Sequence, residues 1–494
     1  MLTPFPYQIE AINLLRKTGE SGKRRMILCM LMAAGKTLCS LELMRLCAEK
    51  SKRSLFLCDR RMLADQARDR AVEQGIDAGL ILAGRGYDLD APCQFASKQT
   101  VESWIKRGIL ELPPFQLGII DECHRGVEYQ KKLFERYPNV LWIGLTATPC
   151  LGNGDGMGAY YDALIQPIKP SELRALGRIV GVRAFAPHVP DLKGVKRGDD
   201  GDYSAKSLSE RMNRKNLIGD VAGWWLRLGE NRPSIYFACD VAHALAIRDE
   251  FRARGIPAEI ICDETPDEER TNIRDRLERG EIKVVVNCDV LAEGVDWPFV
   301  SCIGLVRPTR RLRRYLQNSG RGLRAHPGKT DCILIDHAGC VLLHGFPDID
   351  REWPLSAADN IDRMKKKPSP GDPVSITCEN CSAIFQGRRT CPECGHVHAI
   401  QKKPHDPSNG NGTLVEVSKG QLPAEISKLL MQRYWATCIG TAIKRRAKAG
   451  MAAGMFSSKF GIPPWQAGVN PLPVESWQWK EPATVVFPGF RRRS

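Results

Sequence analysis

Apolar and polar positions alternate in blocks along the first third of the chain. Four short apolar runs are each followed by polar or turn-forming residues, and they read "RRMILCML", "RSLFLCD", "FQLGIID" and "VLWIGLTATP". Stretches of helical length lie between them, such as residues 36–49 and 61–74. Short, continuously apolar runs are typical of strands that are buried on both faces, as in parallel sheets. The pattern therefore predicts an α/β fold with a parallel sheet and crossover helices.

A second block of the same kind follows after a polar interval. Its apolar runs read "PSIYFAC", "PAEIIC", "IKVVVNC", "VSCIGLV" and "TDCILID", with helices expected near residues 241–254 and 266–279. The Gly/Asp-rich residues 189–204 separate the two blocks and read as a linker. We therefore predict a first α/β unit over residues 1–188 and a second over residues 205–350, in tandem.

The rest of the chain departs from this pattern. Residues 351–372 are polar with Pro and Gly and read as a second linker, residues 373–399 are rich in cysteine, and residues 412–494 form a basic C-terminal accessory segment. The cysteine-rich stretch contains two C-x₂-C pairs that are nine residues apart, Cys378, Cys381, Cys391 and Cys394. Four thiolates complete a closed tetrahedral site, so the spacing predicts a structural zinc ribbon. A redox C-x-x-C pair is the alternative, which two matched pairs so close together disfavour.

Composition and charge narrow the class of protein. The chain of 494 residues is 43% hydrophobic and has no run of about 18 apolar residues, so no membrane span is predicted. Its first residues have neither a basic nor an apolar region of the signal-peptide kind, so we expect no secretion signal. Most of its 18 cysteines are scattered singly in apolar runs, which is typical of a reducing compartment. The formal charge of +15 favours a polyanionic partner, with nucleic acid first and an anionic membrane surface second.

A candidate nucleotide site lies in "MLMAAGKT", residues 30–37. The stretch ends like a phosphate-binding loop, but Met30 stands where that pattern has glycine. A strand, a turn of small residues and a helix start would present backbone N–H groups to phosphates. Lys36 would then reach the β- and γ-phosphates, and the Thr37 hydroxyl would ligate Mg²⁺. The alternative is an ordinary helix start with a surface lysine.

A pair of carboxylates supports the nucleotide reading. Asp121 and Glu122 end the apolar run "LGIID", where one carboxylate can hold Mg²⁺ and its neighbour can deprotonate the attacking water. A capping aspartate beside a surface glutamate is the alternative. Arg321 and Arg324, three residues apart in a predicted helix of the second block, can face one way and stabilise transition-state charge.

With these residues in place, the chain resembles the DExH-box helicases of superfamily 2 over roughly residues 4–340. "MAAGKT", "DECH", "TATP", "NCDVLAEGVDWP" and "YLQNSGRGLR" match the family's motifs I, II, III, V and VI. The resemblance implies two RecA-like lobes that clamp ATP and Mg²⁺ between them. It implies that Gln8 recognises adenine, and that Ala34 and Gly35 of the loop and Gly294 and Asp296 of motif V contact the nucleotide. The coupling residues in motifs II and III would be His124, Thr146 and Thr148, and the catalytic residues in motif VI would be Gln317, Arg321 and Arg324.

The same resemblance implies a nucleic-acid track that grips the phosphodiester backbone. Its candidate residues are Arg60, Arg61, Ser97 and Thr100 in the first lobe, with Thr309 and Arg310 in the second. DNA is favoured over RNA because "LIDHAGCVLLHGFP" resembles DNA-directed, phage-type members related to restriction enzymes, which also implies the cytoplasm of a bacterial or phage-infected cell. Protein partners are not indicated.

We therefore expect a nucleic-acid-dependent ATPase that translocates on duplex DNA and unwinds it. Two alternatives stay open, which are a duplex translocase or remodelling motor without strand separation and a zinc-dependent binder with a vestigial nucleotide site. A nuclease-like spacing, Pro266-Asp267 followed by Glu281-x-Lys283, falls in a charge-rich stretch and is not favoured. Trp465, Trp477 and Trp479 could stack on unpaired bases, although a place in a small core is the preferred reading.

Overall fold

The computed structural model describes residues 3–187, 190–198, 201–212, 215–288, 290–291, 296–362 and 375–398, with residues 435, 438–439, 442, 449–460 and 464 of the C-terminal part. The chain divides into two compact units, Met1–Ile400 and Gln401–Ser494. No helix among the described residues is long and apolar enough to cross a membrane.

The first sheet contains the predicted strands and lies at the centre of the first lobe. Its strands are β1 (Arg25–Cys29), β2 (Ser54–Cys58), β3 (Ala78–Leu82), β4 (Gly86–Tyr87), β5 (Cys93–Ser97), β6 (Leu117–Asp121), β7 (Leu141–Thr146) and β8 (Ala163–Ile165). They lie in the order β4-β3-β5-β2-β6-β7-β1-β8 and are parallel except for the β3–β4 hairpin. The helices are α1 (Pro6–Glu20), α2 (Lys36–Ala48), α3 (Arg61–Glu73), α4 (Lys98–Lys106), α5 (Val127–Arg136) and α6 (Pro170–Ala175).

The second sheet belongs to the second lobe. Its strands are β9 (Gly181–Phe185), β10 (Ser234–Phe237), β11 (Ala258–Ile261), β12 (Val284–Asn287), β13 (Cys302–Leu305), β14 (Asp331–Asp336), β15 (Ser375–Thr377) and β16 (Ala383–Gln386), in the order β11-β12-β10-β13-β14-β9-β16-β15. The helices are α7 (Ala205–Met212), α8 (Lys215–Leu228), α9 (Val241–Ala253), α10 (Asp267–Glu278), α11 (Leu312–Ser319) and α12 (Cys340–His344). The prediction of two α/β lobes in tandem is confirmed.

Both sheets are buried on their two faces, as the continuous apolar runs predicted. Along β2, Phe56 and Cys58 pack in one hydrophobic cluster while Leu55 and Leu57 pack in the cluster on the other face. In the second sheet, the all-valine run of β12 divides its side chains between two clusters in the same way. Successive side chains of a strand point to opposite faces, so a strand with apolar residues at every position fills two layers.

The division between the lobes differs from the predicted one. β9 lies before residue 188, yet it pairs in parallel with β14 of the second sheet. β16 pairs antiparallel with β9 on its other side, through Ala383–Phe185 and Ile384–Ala184. The second sheet therefore begins before the predicted linker, and the hairpin of the cysteine-rich stretch adds two strands to this sheet.

The described residues of the C-terminal unit include the helix α13 (Ala449–Phe460). The rings of Trp435 and Phe456 contact each other at a centroid distance of 5.6 Å, and Cys438 is buried in the same cluster. Trp465, Trp477 and Trp479 lie outside the described residues.

Candidate active site between the two lobes

The loop after β1 turns sharply into α2. Residues Met32–Ala34 form a single 3₁₀ turn, Gly35 has φ 77°, and α2 begins at Lys36. A left-handed backbone at this point is readily adopted by glycine, which has no Cβ to clash with the following carbonyl. The free N–H groups at the helix start therefore face the space in front of the loop.

Gln8 holds this loop from behind. Its side chain is buried, its Nε2 donates to the carbonyl of Ala34 at 3.1 Å, and its Oε1 accepts from the backbone N–H of Phe5 at 2.8 Å. The Tyr7 hydroxyl donates to the same Ala34 carbonyl at 3.2 Å. A Cβ atom at Gly35 would overlap Gln8 Nε2. The upstream glutamine thus contacts the loop itself in this structure.

Replacing Gly35 with alanine is expected to destabilise the loop and to weaken ATP binding at least about tenfold, because it adds both backbone strain and an overlap with Gln8. Gly75 is the matched control, since it has the same φ of 77° and no neighbour within 4 Å of an added Cβ. Binding of a fluorescent ATP analogue and thermal unfolding of the two variants would be compared. Equal effects of Gly35→Ala and Gly75→Ala on ATP binding would contradict the role assigned to Gln8.

The two methionines of the loop have packing roles. Met30 is buried below the loop, and its carbonyl accepts a hydrogen bond from Lys36 Nζ at 3.1 Å. Met32 reaches the second lobe, where a Cβ atom at Gly320 would lie 2.7 Å from Met32 Cε. Thr37 is half-buried in the first turn of α2. Met30, at the position where the pattern has glycine, therefore packs below the loop, and Met32 gives the loop an apolar contact with the opposite lobe.

The predicted carboxylates end β6 close to two lysines. Lys98 Nζ donates to the Asp121 carbonyl at 2.9 Å and forms an ion pair with Asp59 at 2.8 Å. Burial raises the pKa of Asp121, against the opposing effect of the positive charges of Lys36 and Lys98. Glu122 has φ 45°, which is the left-handed region. A non-glycine residue in this region is strained by about 1–3 kcal/mol and is held there by its surroundings.

A chain of side chains leads from Glu122 to the second lobe. His124 Nδ1 lies 2.8 Å from Thr146 Oγ1 and 3.4 Å from Glu122 Oε2, and its Nε2 lies 3.4 Å from the amide nitrogen of Gln317. Burial, helped by neighbouring cations such as Arg313, holds the pKa of His124 well below its usual range, so the ring is neutral at pH 7. A proton on Nδ1 satisfies both contacts, with Nε2 accepting from Gln317.

The coupling residues of the first lobe converge on this chain. Thr146 ends β7, and its hydroxyl also accepts the backbone N–H of Thr148 at 3.0 Å. Both threonines are buried. The structure therefore brings together all three predicted coupling residues, His124, Thr146 and Thr148, with Gln317 of the second lobe beside them.

The predicted arginines follow α11. Arg321 is buried in a 3₁₀ turn, Gly320–Leu323, and Arg324 forms an ion pair with Asp296 at 2.8 Å. Burial lowers the pKa of Arg324, and Asp296 opposes that effect. Asp296 also lies 3.7 Å from Arg70 of the first lobe. Gly294, the other predicted residue of motif V, lies outside the described residues.

Three of the predicted nucleic-acid contacts are buried by local structure, which corrects the expectation that they line an open track. Ser97 caps the N-terminus of α4 by accepting from the backbone N–H of Thr100, and their hydroxyls lie 2.7 Å apart. Thr309 donates its hydroxyl to Asp202 at 2.6 Å. All three side chains are at most 4% exposed, because caps and buried carboxylates use the hydroxyls internally.

The remaining track candidates lie nearer to solvent. Arg61 and Arg310 are exposed and Arg60 is half-buried. The backbone N–H of Arg310 donates to Asp202 at 2.8 Å, which leaves its guanidinium outside that bond. These three arginines stay predicted contacts. The disfavoured nuclease spacing gains no support, since Asp267 and Glu281 are paired with neighbouring arginines on the surface.

Two polar residues near the site were missed by the sequence reasoning. Lys98 follows β5 directly, and Asp59 follows β2. The carboxyl ends of parallel strands meet at one edge of a sheet, so their position after two predicted strands was a usable signal. Asp202 gave no such signal, because its partners Thr309 and Arg310 are more than 100 residues away in the sequence.

The four predicted cysteine ligands lie together at the β15–β16 hairpin. The Sγ atoms of Cys378 and Cys394 are 3.6 Å apart, as are those of Cys381 and Cys391, and all four lie within 4.8 Å of one another. Zn–S bonds of about 2.3 Å in a tetrahedron place sulfur atoms about 3.8 Å apart. The donor set and its spacing therefore fit zinc.

Two family models match the chain. Residues 1–151 match the res subunit of type III restriction enzymes, and residues 224–326 match the conserved C-terminal domain of helicases. The 51.5 kDa protein of Lactococcus phage (isolate 7-9) is 30% identical over 382 residues, covering 75% of this chain and 77% of that protein.

A fungal relative and a solved structure extend the comparison. The irc3 protein of Schizosaccharomyces pombe, assigned as a mitochondrial ATP-dependent helicase, is 28% identical and covers 67% of this chain and 56% of its own length. A fragment assigned as the HsdR subunit of a type I restriction enzyme from Vibrio vulnificus has 21% identity and a TM-score of 0.57, and the likeness covers 72% of this chain and 68% of that chain. The structural likeness concerns the fold alone.

Proposed function

The chain belongs to the superfamily 2 helicases related to restriction enzymes, and from that premise we propose a motor that hydrolyses ATP between its lobes, translocates on duplex DNA and unwinds it. The contact between His124 and Gln317 carries this proposal. It joins the strand end that holds Glu122 to the helix that precedes Arg321 in the other lobe. Opening and closing of the lobes would therefore change the groups around the same nucleotide.

The residues around the loop suit ATP with Mg²⁺. Lys36 would exchange the Met30 carbonyl for the β- and γ-phosphates, while the N–H groups at the start of α2 donate to the phosphate oxygens. The Thr37 hydroxyl and the Asp121 carboxylate are hard oxygen donors of the kind that Mg²⁺ prefers. The Mg²⁺ that these donors would hold would supply positive charge against the negative charge that develops on the phosphate oxygens.

The remaining groups divide the reaction between the lobes. Glu122 orients the attacking water and accepts its proton. His124 stays neutral and contacts both Glu122 and Gln317, so a movement of one lobe shifts the groups of the other. Arg321 and Arg324 stabilise the negative charge that spreads over the γ-phosphoryl oxygens. Hydrolysis then requires both lobes, which links ATP turnover to their relative movement.

The partner of this helicase is nucleic acid, and we propose that it is DNA. The match to a restriction-enzyme subunit supports DNA, because restriction enzymes act on DNA. The charge of +15 supports a polyanion of either kind. The phage relative supports the cytoplasm of a bacterial or phage-infected cell as the place of action.

One set of assays tests the function. ATP hydrolysis is measured alone and with single-stranded DNA, duplex DNA or duplex RNA, and we expect DNA to stimulate it most. Strand displacement on a tailed duplex is then compared with displacement of a triplex-forming strand, which reports translocation without unwinding. Triplex displacement without duplex unwinding would favour the remodelling alternative. Absence of ATP hydrolysis under every condition would favour the vestigial site.

We also propose that the four cysteines hold one structural zinc ion. Exchanging Cys381 for serine is expected to lower the bound zinc from about one ion per chain to near zero, because three thiolates no longer close the tetrahedron. The β15–β16 hairpin should then lose its order, which hydrogen exchange of residues 375–398 would report. Cys262→Ser is the control, since Cys262 lies outside the cluster. Full zinc content in Cys381→Ser would contradict the proposed ligand set.

A further inference from the structure

A segment after the second lobe returns to the first lobe. We call residues 348–362 the strap. Its Asp348 pairs with Arg174 at 2.8 Å, and its Asp350 accepts from both the N–H and the hydroxyl of Ser171, at 3.0 and 2.7 Å. Arg174 and Ser171 belong to α6 of the first lobe. The strap is therefore bonded to the first lobe just before residues 351–362, which belong to the stretch that the sequence indicated as a linker.

The strap then pairs with the glycine-rich loop that follows β7, residues 151–158. Gly156 N–H donates to the Asp359 carbonyl at 2.9 Å, and the N–H of Ile361 donates to the Gly154 carbonyl at 2.8 Å. An added Cβ at Gly156 would overlap the carbonyl of Ser356. The loop lacks side chains where the backbone of the strap approaches most closely. The strap is consequently fixed to the segment that begins just after Thr146 and Thr148.

The end of the strap bonds the helix of motif VI. Asp362 Oδ1 accepts from the N–H of Leu312, the first residue of α11, at 3.0 Å. Asp362 Oδ2 accepts from Arg311 NH1 at 2.8 Å, and the same nitrogen donates to the Asn153 carbonyl of the loop at 2.7 Å. The side chains of Asp362 and Arg311 are 12% and 16% exposed, so solvent screens this ion pair only in part. Asp362 and Arg311 together thus join the start of α11 in the second lobe to the loop of the first lobe.

The sequence of α11 explains why an outside carboxylate is needed. Its N-cap residue is Arg311, which makes no side-chain capping bond, and the first turn contains further arginines and no acidic residue. Positive side chains at the positive end of a helix are unfavourable, and an N-cap needs an acceptor. Asp362 supplies both the acceptor and the negative charge. The same helix carries Gln317 and leads directly to Arg321.

We propose that Asp362 is a positioning residue for ATP hydrolysis. It sets the start of α11, and through Arg311 it fixes that helix against the loop after the coupling threonines. Gln317 and Arg321 then hold one fixed position relative to the nucleotide. Asp362 does not contact the nucleotide itself. The inference rests on the proposed ATPase function, but the position of α11 can also be measured by hydrogen exchange without any ATPase activity.

The test compares Asp362→Ala and Asp362→Asn with Asp359→Ala in the full-length protein. We expect Asp362→Ala to lower kcat about 10- to 100-fold while KM for ATP changes by less than about threefold, because misplacement affects the transition state and not nucleotide binding. Asp362→Asn should recover part of the loss, since its carbonyl can still accept from Leu312. Asp359 is exposed and three residues away, so Asp359→Ala should retain full kcat.

A double-mutant cycle tests the pair. If Asp362 acts through Arg311, the double variant Arg311→Ala/Asp362→Ala should lose no more than the worse single variant. Additive losses would overturn this coupling. An unchanged kcat in Asp362→Ala would overturn the proposal, as would a loss that Asp362→Asn does not relieve at all.

Hydrogen exchange of the peptide over residues 309–319 separates this inference from the proposed function. Asp362→Ala should speed exchange at the start of α11, and Asp362→Asn should do so less, whether or not the wild-type protein hydrolyses ATP. Unchanged exchange in Asp362→Ala would overturn the positioning role by itself. Faster exchange in a protein without any ATPase activity would support the geometry and refute the proposed function.

Discussion

Replacing Glu122 with glutamine is expected to lower the rate of ATP hydrolysis about 10²–10⁴-fold, the usual contribution of a general base. Glutamine keeps the size and the hydrogen-bonding reach of glutamate but cannot accept the proton of the attacking water. The strained φ of 45° at this position is a property of the surrounding strand end and loop, so the substitution should leave the backbone in place. ATP binding should therefore remain while turnover is lost.

The measurement is steady-state ATPase activity with saturating DNA, together with the dissociation constant of ATP. Glu135→Gln is the matched control, because Glu135 lies exposed on α5 of the same lobe. It should keep full activity. Full turnover in Glu122→Gln would remove the proposed base. A matching loss of ATP affinity would instead assign Glu122 to nucleotide binding.

The elements of the two lobes follow from the sequence because each strand fills two apolar layers. The predicted helix over residues 36–49 is observed at Lys36–Ala48, and the one over residues 61–74 at Arg61–Glu73. Continuous apolar runs between helices leave few alternatives to a parallel sheet with buried faces. The position of Asp121 and Glu122 at the end of β6 follows from the same pattern.

The parts that the sequence did not predict depend on contacts between distant segments. Nothing local marks β9 as a strand of the second sheet, since its partners β14 and β16 are remote in the chain. Polar, glycine-rich stretches have no periodicity, so residues 189–204 and 351–372 read as linkers in the sequence. In the structure, Asp202 and Asp362 of these stretches accept from the backbone N–H groups of Arg310 and Leu312, which lie just before and at the start of α11.

The hydroxyl residues that were predicted as nucleic-acid contacts but are buried also depend on contacts that the sequence does not show. Ser97 ends β5 and caps α4, and Thr309 lies in the loop before α11. At such positions a hydroxyl can bind a phosphate, or it can bond to a backbone or carboxylate group of its own protein. The residue type alone does not distinguish these uses. Arg61 and Arg310 carry a charge that is too costly to bury unpaired, and this is why an exposed position was more predictable for them.

Replacing Arg321 with alanine is expected to lower kcat about 10³–10⁵-fold, the range for an arginine that stabilises a phosphoryl transition state. Arg321 is buried beside the contact of Gly320 with Met32, so it already lies at the face that meets the first lobe. Arg324 is paired with Asp296 in this structure, so it must exchange that carboxylate for a phosphate oxygen to act. The two arginines should therefore differ in how much activity remains when each is replaced with lysine.

Single-turnover hydrolysis of Arg321→Ala, Arg324→Ala, the double variant and both lysine variants would measure this. Arg324→Lys should retain more activity than Arg321→Lys, because lysine can still pair with Asp296 as a point charge but cannot reproduce a buried, planar guanidinium. The double variant should lose little more than Arg321→Ala if both act on one transition state. Arg274→Ala removes surface pairs on α10 and should leave kcat unchanged. A loss below about tenfold in Arg321→Ala would exclude it as the arginine that stabilises the transferred phosphoryl group.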